Sequence, residues 1–218
     1  MLTVALTSIP PRFAGLGPTL ESLLAQSGVG RVVLTLPRVY DRFPGPVTPP
    51  PLPSGVDLHW SDTDLGPATK VLPLAATLPA HAPILFCDDD WAYGPGWAAG
   101  FAAAHAGDPA TALAAQPFDA ARIGRSHGTI VQGYAGVLVT PAMLAPLTPP
   151  PARFRPVDDI WLSALIAANG VPVRSLPDLR ALARPTGNEA APLQENKSRA
   201  TLNRDCAAYC AKRFGIWR

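Results

Sequence analysis

The sequence predicts an α/β fold built around a mainly parallel β-sheet, and three observations support this prediction. Short apolar runs alternate along the chain with segments that carry apolar residues at helical spacing. The chain has 218 residues, of which 48% are hydrophobic and 16% charged, which is enough apolar material for the core of one domain. The fourth apolar run ends in three consecutive aspartates, as expected at a sheet edge that binds a ligand.

The predicted elements alternate in type along most of the chain. The pattern predicts strands over residues 2–7, 31–36, 56–60, 83–87, 129–132, 136–139 and 171–175. It predicts helices over residues 18–26, 69–78, 96–105, 158–169 and 203–218, whereas residues 110–115 fit either a helix or a strand. Residues 44–55 are proline-rich and residues 185–198 are polar, so both segments are predicted to be loops. The sequence shows no repeat and no linker, so we expect one domain over residues 1–218.

Charge and cysteine content exclude several classes of protein. The net charge is +2 and no basic stripe precedes the C-terminal end, so we expect no nucleic-acid partner. Three cysteines are too few for a disulfide framework or a four-ligand zinc site. The first apolar run lacks the basic residues of a secretory signal, and no run approaches the ~20 apolar residues of a membrane-spanning helix. We therefore expect a cytoplasmic protein. The basic, aromatic C-terminal tail fits either packing against the domain or a peripheral contact with the inner membrane.

The strongest functional motif is the aspartate triplet Asp88-Asp89-Asp90 at the end of the fourth predicted strand. Adjacent carboxylates repel one another, and a divalent cation relieves this repulsion. Oxygen ligands suit Mg²⁺ or Mn²⁺. In an extended segment Asp88 and Asp90 point to the same side, so they are the predicted metal ligands. The alternative is an aspartate-rich turn that caps the next helix.

An apolar strand followed by Asp-x-Asp resembles the signature of the GT-A glycosyltransferases, in which a metal ion bridges the acids to the diphosphate of a sugar nucleotide. The resemblance extends in order, with loose spacing, over residues 3–169. It implies a single GT-A domain, which is a Rossmann-like α/β/α sandwich with a mixed, mainly parallel central sheet. The nucleotide-binding half would comprise residues 1–90, the acceptor half residues 91–184 and a C-terminal tail residues 185–218.

Two segments before the triplet resemble the donor-binding parts of this family. In the family the nucleotide pocket begins in the turn after the first strand, where the planar guanidinium of Arg12 suits a phosphate. The Asp-x-Gly-Pro-x-x-Lys segment supplies Asp64 for a hydroxyl group and Lys70 for a phosphate or sugar oxygen. The alternatives are an ordinary turn with a solvated Arg12 and a capped helix start with Lys70 in water. The predicted donor-binding residues are Thr7, Ile9, Arg12, Asp64, Lys70, Asp88 and Asp89.

A glycine-rich turn between two predicted strands, residues 132–136, resembles the segment that faces the donor sugar and the acceptor in GT-A enzymes. Tyr134 is expected to lie against a sugar ring, and a β-bulge with Tyr134 in the core is the alternative. Trp161 is predicted to be a second aromatic platform for sugar. The predicted acceptor or sugar-binding residues are Gly133, Tyr134, Gly136 and Trp161.

The pair Asp158-Asp159 opens the helix predicted over residues 158–169 and resembles the Glu-Asp-Val-x-Leu segment of inverting GT-A enzymes. Asp159 matches the position of the catalytic base and Asp158 the acid before it. Inversion needs a base that takes the proton of the acceptor hydroxyl on the face opposite the leaving diphosphate. Acids in the first turn of a helix are also favoured by the helix dipole, so a structural role is compatible with this assignment.

The resemblance has one departure and leaves two alternatives open. Many members add a C-terminal histidine to the metal site, whereas no histidine follows His127, so Asn188, Glu189 or water is the expected substitute. The implied donor is a nucleoside-diphosphate sugar and the implied acceptor a saccharide or glycan precursor. One alternative is a nucleotidyltransferase that acts on sugar phosphates, although residues 7–12 lack the glycine-rich loop that usually opens such enzymes. The other is a catalytically silent module that binds sugar nucleotides.

Overall fold

The computed structural model describes residues 1–188, 190–191 and 196–218, and of residues 196–198 only the backbone. The strands are β1 (Leu2–Leu6), β2 (Val29–Pro37), β3 (Val56–Ser61), β4 (Ile84–Phe86), β5 (Trp91–Tyr93), β6 (Ala112–Ala114), β7 (Phe118–Asp119), β8 (Thr129–Ile130), β9 (Val137–Val139), β10 (Val173–Ser175) and β11 (Ala183–Pro185). The α-helices are α1 (Gly17–Leu24), α2 (Leu72–Ala75), α3 (Trp97–Gly107), α4 (Asp158–Ala168), α5 (Pro177–Arg180) and α6 (Asn196–Phe214).

The central sheet has seven strands in the order β10-β6-β9-β4-β1-β2-β3. Strand β9 is antiparallel to both of its neighbours, β4 and β6. The other adjacent pairs are parallel. The α/β prediction with a mixed, mainly parallel sheet is therefore confirmed. The order β3-β2-β1-β4 matches one half of a Rossmann-like sheet, in which ligands bind beyond the carboxyl ends of the strands where the strand order reverses. That reversal lies between β1 and β4.

Two hydrophobic clusters cover the two faces of this sheet. Successive side chains of β1 point to opposite faces, so Val4 packs in the cluster that includes α1 and α3. Ala5 packs in the other cluster, which includes residues of α2, α4 and α6. The sheet therefore has helices on both faces, and the segments that follow its strands are left to form the site.

Two predicted helices differ from the structure, and one segment with two possible assignments is a strand. The helix predicted over residues 69–78 is a 3₁₀ segment, Gly66–Lys70, followed by the one-turn α2. Pro73 explains the interruption, because proline has no backbone N–H and its ring clashes with the preceding turn. Residues 110–115, which fitted either element, contain the strand β6. The last helix was predicted over residues 203–218, but α6 begins at Asn196 within the predicted loop and ends at Phe214.

The C-terminal helix α6 packs against α4 through its aromatic side chains. Trp161 of α4 stacks with Tyr209 at a ring-centroid distance of 6.3 Å and meets Phe214 edge-on at 5.6 Å. Trp217, which follows the helix, is only 4% exposed. The aromatic residues of the tail therefore pack against the protein, whereas a peripheral contact with the inner membrane stays a prediction. Within the described residues, no helix is both long enough and apolar enough to cross a membrane.

Candidate active site

A pocket of about 260 Å³ opens at the carboxyl edge of the sheet, next to the reversal of strand order. Its wall combines the turn after β1, the loop after β2, the Gly66–Lys70 segment, the aspartate triplet and the start of α4. These segments are far apart in sequence and carry most of the residues singled out above. The pocket brings together the predicted residues Thr7, Ile9, Arg12, Asp64, Lys70, Asp88, Asp89, Asp90, Asp158 and Asp159.

Lys70 joins the aspartate triplet to α4. Its Nζ contacts the carboxylate of Asp88 and lies 2.9 Å from Oδ2 of Asp158. Burial alone lowers the pKa of Lys70, but Asp158 and Asp88 raise it well above its ordinary value, so the side chain stays charged. Only 2% of the Lys70 side chain is exposed, and it neutralises two acids of the pocket wall. Lys70 lines the pocket, and its contact with a donor phosphate stays a prediction.

Asp159 is held by the glycine-rich turn. Its Oδ1 accepts a hydrogen bond of 2.9 Å from the backbone N–H of Gly133. A Cβ atom at Gly133 would lie 2.7 Å from Nζ of Lys70 and 3.0 Å from Oδ1 of Asp88, so a larger residue would displace these groups. Burial, followed by repulsion from Asp158, raises the pKa of Asp159 to about 8. A carboxylate with a pKa near neutrality is suited to take up a proton during a reaction.

Arg12 is bound to the other two members of the triplet. Its Nη1 donates to Oδ1 of Asp89 at 2.8 Å and to Oδ2 of Asp90 at 3.2 Å. Asp89 also accepts a hydrogen bond of 2.5 Å from the hydroxyl of Ser8 and is 5% exposed. Asp89 therefore links the turn after β1 to the triplet, and its contact with a donor stays a prediction. The alternative of a solvated Arg12 is also wrong, because 13% of its side chain is exposed.

Asp88 and Asp90 are the more accessible members of the triplet, with side chains 35% and 23% exposed. Burial, followed by repulsion from Asp88 and Asp89, raises the pKa of Asp90 to about 6, because this part of the wall carries excess negative charge. Mg²⁺ is commonly held by one or two carboxylates together with substrate phosphates and water. The two carboxylates therefore fit Mg²⁺ or Mn²⁺, provided that a substrate supplies further oxygen ligands.

A third protein ligand for the metal is not apparent. No group of three His, Cys, Asp or Glu residues arranged to hold a metal ion occurs within residues 1–188, 190–191 and 196–218. The amide nitrogen of Asn188 donates to the carbonyl oxygen of Arg12 at 3.0 Å, so Asn188 supports the turn after β1. The contact uses the amide nitrogen and not the side-chain oxygen, so the role of Asn188 as a metal ligand stays a prediction. Glu189, the other predicted substitute for a histidine, lies outside the described residues.

Thr7 and Asp64 shape the pocket wall. The Thr7 hydroxyl donates to the carbonyl oxygen of Thr35 at 2.7 Å. The Asp64 carboxylate accepts hydrogen bonds from the backbone N–H groups of Gly66 and Asp41 at 2.8 and 3.0 Å. Ile9 also lines the pocket. Contacts of these residues with a nucleotide stay predictions.

Tyr134 lies beside the triplet but outside the pocket wall. Its ring packs on Trp91 at a centroid distance of 4.6 Å, and its hydroxyl accepts a hydrogen bond of 3.2 Å from Nε of Arg180. The Arg180 guanidinium lies 4.9 Å from the Trp91 ring centroid and 5.0 Å from that of Tyr134. Tyr134 is half-buried, so its prediction as a sugar-contacting residue stays open.

The other two predicted acceptor residues belong to the core. Trp161 is fully buried, and its indole N–H donates to the carbonyl oxygen of Thr148 at 2.8 Å. Gly136 has a φ of +103°, and a Cβ there would lie 2.5 Å from the Trp97 ring and 3.0 Å from that of Phe101. Both predictions are corrected, since neither residue has a surface that a sugar can reach.

Several pocket residues were not found from the sequence. They are Ser8, Pro37, Tyr40, Arg42, Phe43, Thr69, Pro156 and Arg199. Tyr40 is buried, and its hydroxyl donates to the carbonyl oxygen of Ser8 at 2.7 Å. The sequence carried a signal for Tyr40, Arg42 and Phe43, because they follow the second strand and therefore lie at the same sheet edge as the triplet. For Arg199 the sequence held no signal, because it lies more than a hundred residues from the triplet along the chain.

Comparison with known proteins adds little to this picture. No family model and no curated protein matches the chain. Among solved structures, the chain is similar to the crystal structure of a 4-diphosphocytidyl-2C-methyl-D-erythritol synthase, with 16% identity and a TM-score of 0.48 over 92% of this chain and 96% of that chain. A likeness this weak carries no argument about activity.

Proposed function

We propose that this chain is a metal-dependent glycosyltransferase that moves a sugar from a nucleoside diphosphate to a hydroxyl group of a saccharide or glycan precursor, with inversion. The observation that carries the proposal is the meeting of Asp88, Asp90 and Asp159 at one pocket. Such a transfer needs a site for the diphosphate and, separately, a base for the acceptor. The triplet and the start of α4 provide carboxylates for these two tasks.

Asp88 and Asp90 are the proposed metal ligands. When bound, Mg²⁺ or Mn²⁺ neutralises the charge that develops on the departing diphosphate. Arg12 adds a positive charge beside Asp90, since its Nη1 lies 3.2 Å from the Asp90 carboxylate. Arg199 lines the same pocket and is exposed, so it is available to a donor phosphate. The donor is therefore proposed to be held between acids that bind a metal ion and arginines that bind phosphate.

Asp159 is the proposed base. The Gly133 N–H fixes its Oδ1, while Oδ2 receives no hydrogen bond from any described residue and is free to accept the acceptor proton. With its pKa raised to about 8, Asp159 is a stronger base than an ordinary aspartate once it has lost its own proton, which it keeps at lower pH. Asp158 is paired with Lys70 at 2.9 Å, so its proposed role is to position and polarise Asp159 rather than to take the proton.

A nucleotidyltransferase acting on sugar phosphates is the second candidate, and the arginines of the pocket favour it. Arg12, Arg42 and Arg199 line the wall and suit the charge of a nucleoside triphosphate. The nucleophile in that reaction is a phosphate, which is already anionic and needs no base. The carboxylates of the triplet and of α4 repel such a nucleophile, whereas they accept a neutral hydroxyl group. Glycosyl transfer is therefore the first proposal.

The products of turnover separate the candidates. The protein is incubated with Mn²⁺ and either a panel of nucleoside-diphosphate sugars with saccharide acceptors or nucleoside triphosphates with sugar phosphates. Glycosyl transfer releases a nucleoside diphosphate, and nucleotidyl transfer releases pyrophosphate. We expect nucleoside diphosphate, with Mn²⁺-dependent thermal stabilisation by the same donor. Pyrophosphate release would establish the second candidate, and stabilisation by a donor without any turnover would indicate a binding module.

A further inference from the structure

A second cleft lies at the far end of α6. It has a volume of about 480 Å³ and is formed by the turn at residues 124–126, the last turns of α6 and the residues that follow it. Arg199, near the start of α6, lines the candidate active site, whereas Lys212 lines this second cleft. The two residues are thirteen positions apart on the helix, which corresponds to about 20 Å at 1.5 Å per residue. The C-terminal cleft is therefore separate from the pocket described above.

The lining of the C-terminal cleft is rich in positive charge. Arg125, Lys212 and Arg218 contribute cationic side chains, and Ser126 contributes a hydroxyl group. No carboxylate side chain lines the cleft. None of the three cations forms an ion pair with an acidic side chain in the described part of the protein. This charge is the opposite of that in the candidate active site, where acids dominate.

One buried donor in this cleft lacks an acceptor. The Nε atom of Arg125 is buried with no partner among the described atoms. Buried donors in proteins are normally paired, because an unpaired one costs about 1–3 kcal/mol. Trp217, which is 4% exposed, also lines the cleft. An unpaired donor among three cations indicates that the cleft suits an acceptor-rich anion.

The position of Trp217 is fixed by its neighbours. A Cβ atom at Gly128 would lie 2.3 Å from Cδ1 of Trp217, so the indole packs directly on the backbone of the loop that carries Arg125. The loop and the end of α6 therefore present their donors to one shared space.

We propose that the C-terminal cleft binds a phosphate group, at a site independent of the candidate active site. Phosphate carries the charge that three cations match and the several oxygens that the indole, guanidinium and hydroxyl donors require. The phosphate belongs either to a soluble phosphate ester or to a lipid headgroup, and the same donors serve both.

Inorganic pyrophosphate is the probe for this site. ¹⁵N-labelled protein in EDTA is titrated with pyrophosphate while the indole N–H resonance of Trp217 is followed, with the resonance assigned by its loss in Trp217→Phe. We expect a saturable shift of this resonance, and a dissociation constant at least about tenfold weaker in Lys212→Glu. Arg204→Glu is the matched control, because Arg204 is an exposed cation on the same helix that does not line the cleft. An unmoved Trp217 resonance, or equal weakening in the control variant, contradicts the proposal.

Vesicle sedimentation distinguishes the two sources of phosphate. Vesicles of phosphatidylcholine, with and without phosphatidylglycerol, are mixed with the wild-type protein and the two variants. Sedimentation that requires phosphatidylglycerol and is lost only in Lys212→Glu assigns the site to a lipid headgroup. Saturable pyrophosphate binding without sedimentation assigns it to a soluble phosphate ester. Sedimentation that both variants lose equally contradicts a specific cleft, because it reflects the overall charge of α6.

Discussion

The first two turns of α4 place their predicted functional residues in opposite environments. Asp159, in the first turn, lines the pocket and accepts a hydrogen bond from Gly133. Trp161, two positions later, is fully buried against α6. Two positions on an α-helix correspond to a rotation of about 200°, so residues with this spacing face opposite sides. The helix therefore presents its acids to the site and its tryptophan to the core.

The difference shows which residue types are informative about a site. A carboxylate is costly to bury without a partner, so acids near a sheet edge remain at a pocket, at a metal ion or beside a cation. Tryptophan gains free energy from burial as well as from stacking on a ligand, so its sequence position does not separate the two. The acidic motifs accordingly lie together at one pocket, whereas only one of the two predicted aromatic platforms lies near the surface.

The largest expected effect is a loss of turnover when Asp159, at the start of α4, is replaced. Asp159→Asn preserves the size of the side chain but removes its basicity, so turnover should fall by about 10²–10⁴-fold with donor affinity nearly unchanged. Steady-state kinetics measure this change, with the donor that the turnover assay identifies. Asp62→Asn is the control, since the Asp62 side chain is 90% exposed and pairs with Arg38 away from the pocket wall. An Asp159→Asn enzyme that works at the wild-type rate would exclude Asp159 as the catalytic base.

On the core side of the same helix, the expected effect is on stability. Trp161→Ala should lower the free energy of unfolding by about 3–5 kcal/mol, because it leaves a cavity between α4 and α6. Denaturant unfolding monitored by circular dichroism measures the loss. If Trp161 only stacked on sugar, its replacement would instead cost little stability and would weaken acceptor binding. An unfolding free energy close to that of the wild type would therefore restore the sugar-platform prediction.

A smaller effect connects Asp159 to the pH dependence of stability. Its pKa is raised from 3.8 to about 8, so the native carboxyl keeps a proton that the unfolded chain loses. Its stabilising contribution is full below the unfolded pKa and is lost as the pH rises through the native one. In EDTA, the melting temperature of the wild type should fall relative to that of Asp159→Asn between about pH 5 and pH 8. A difference between the two proteins that stays constant with pH would show that Asp159 is ionised throughout.

The sequence predicted the sheet and the acids of the pocket because their signals are local. The run that forms β4 and the triplet after it are adjacent in the chain. The triplet itself lies in a turn beyond β4, and Nη1 of Arg12 contacts both Asp89 and Asp90, so the predicted strand alternation of the three acids does not hold. The roles of the cations could not be predicted in this way. Lys70 pairs with Asp158, which lies 88 positions away, and this pairing depends on how α4 packs against the Gly66–Lys70 segment. Pro73 is a local signal in the sequence, and it limits α2 to one turn.

The most direct test of the account is calorimetric titration of a nucleoside diphosphate into wild-type protein and Asp90→Asn, each with saturating Mn²⁺ and with EDTA. Asn at position 90 keeps the shape of the side chain and removes the charge that binds a cation. We expect binding by the wild type to depend on Mn²⁺, and this dependence to disappear in Asp90→Asn while the melting temperature is retained. Equal affinity of the two proteins in saturating Mn²⁺ would contradict the assignment of the aspartate triplet to a metal-bound diphosphate.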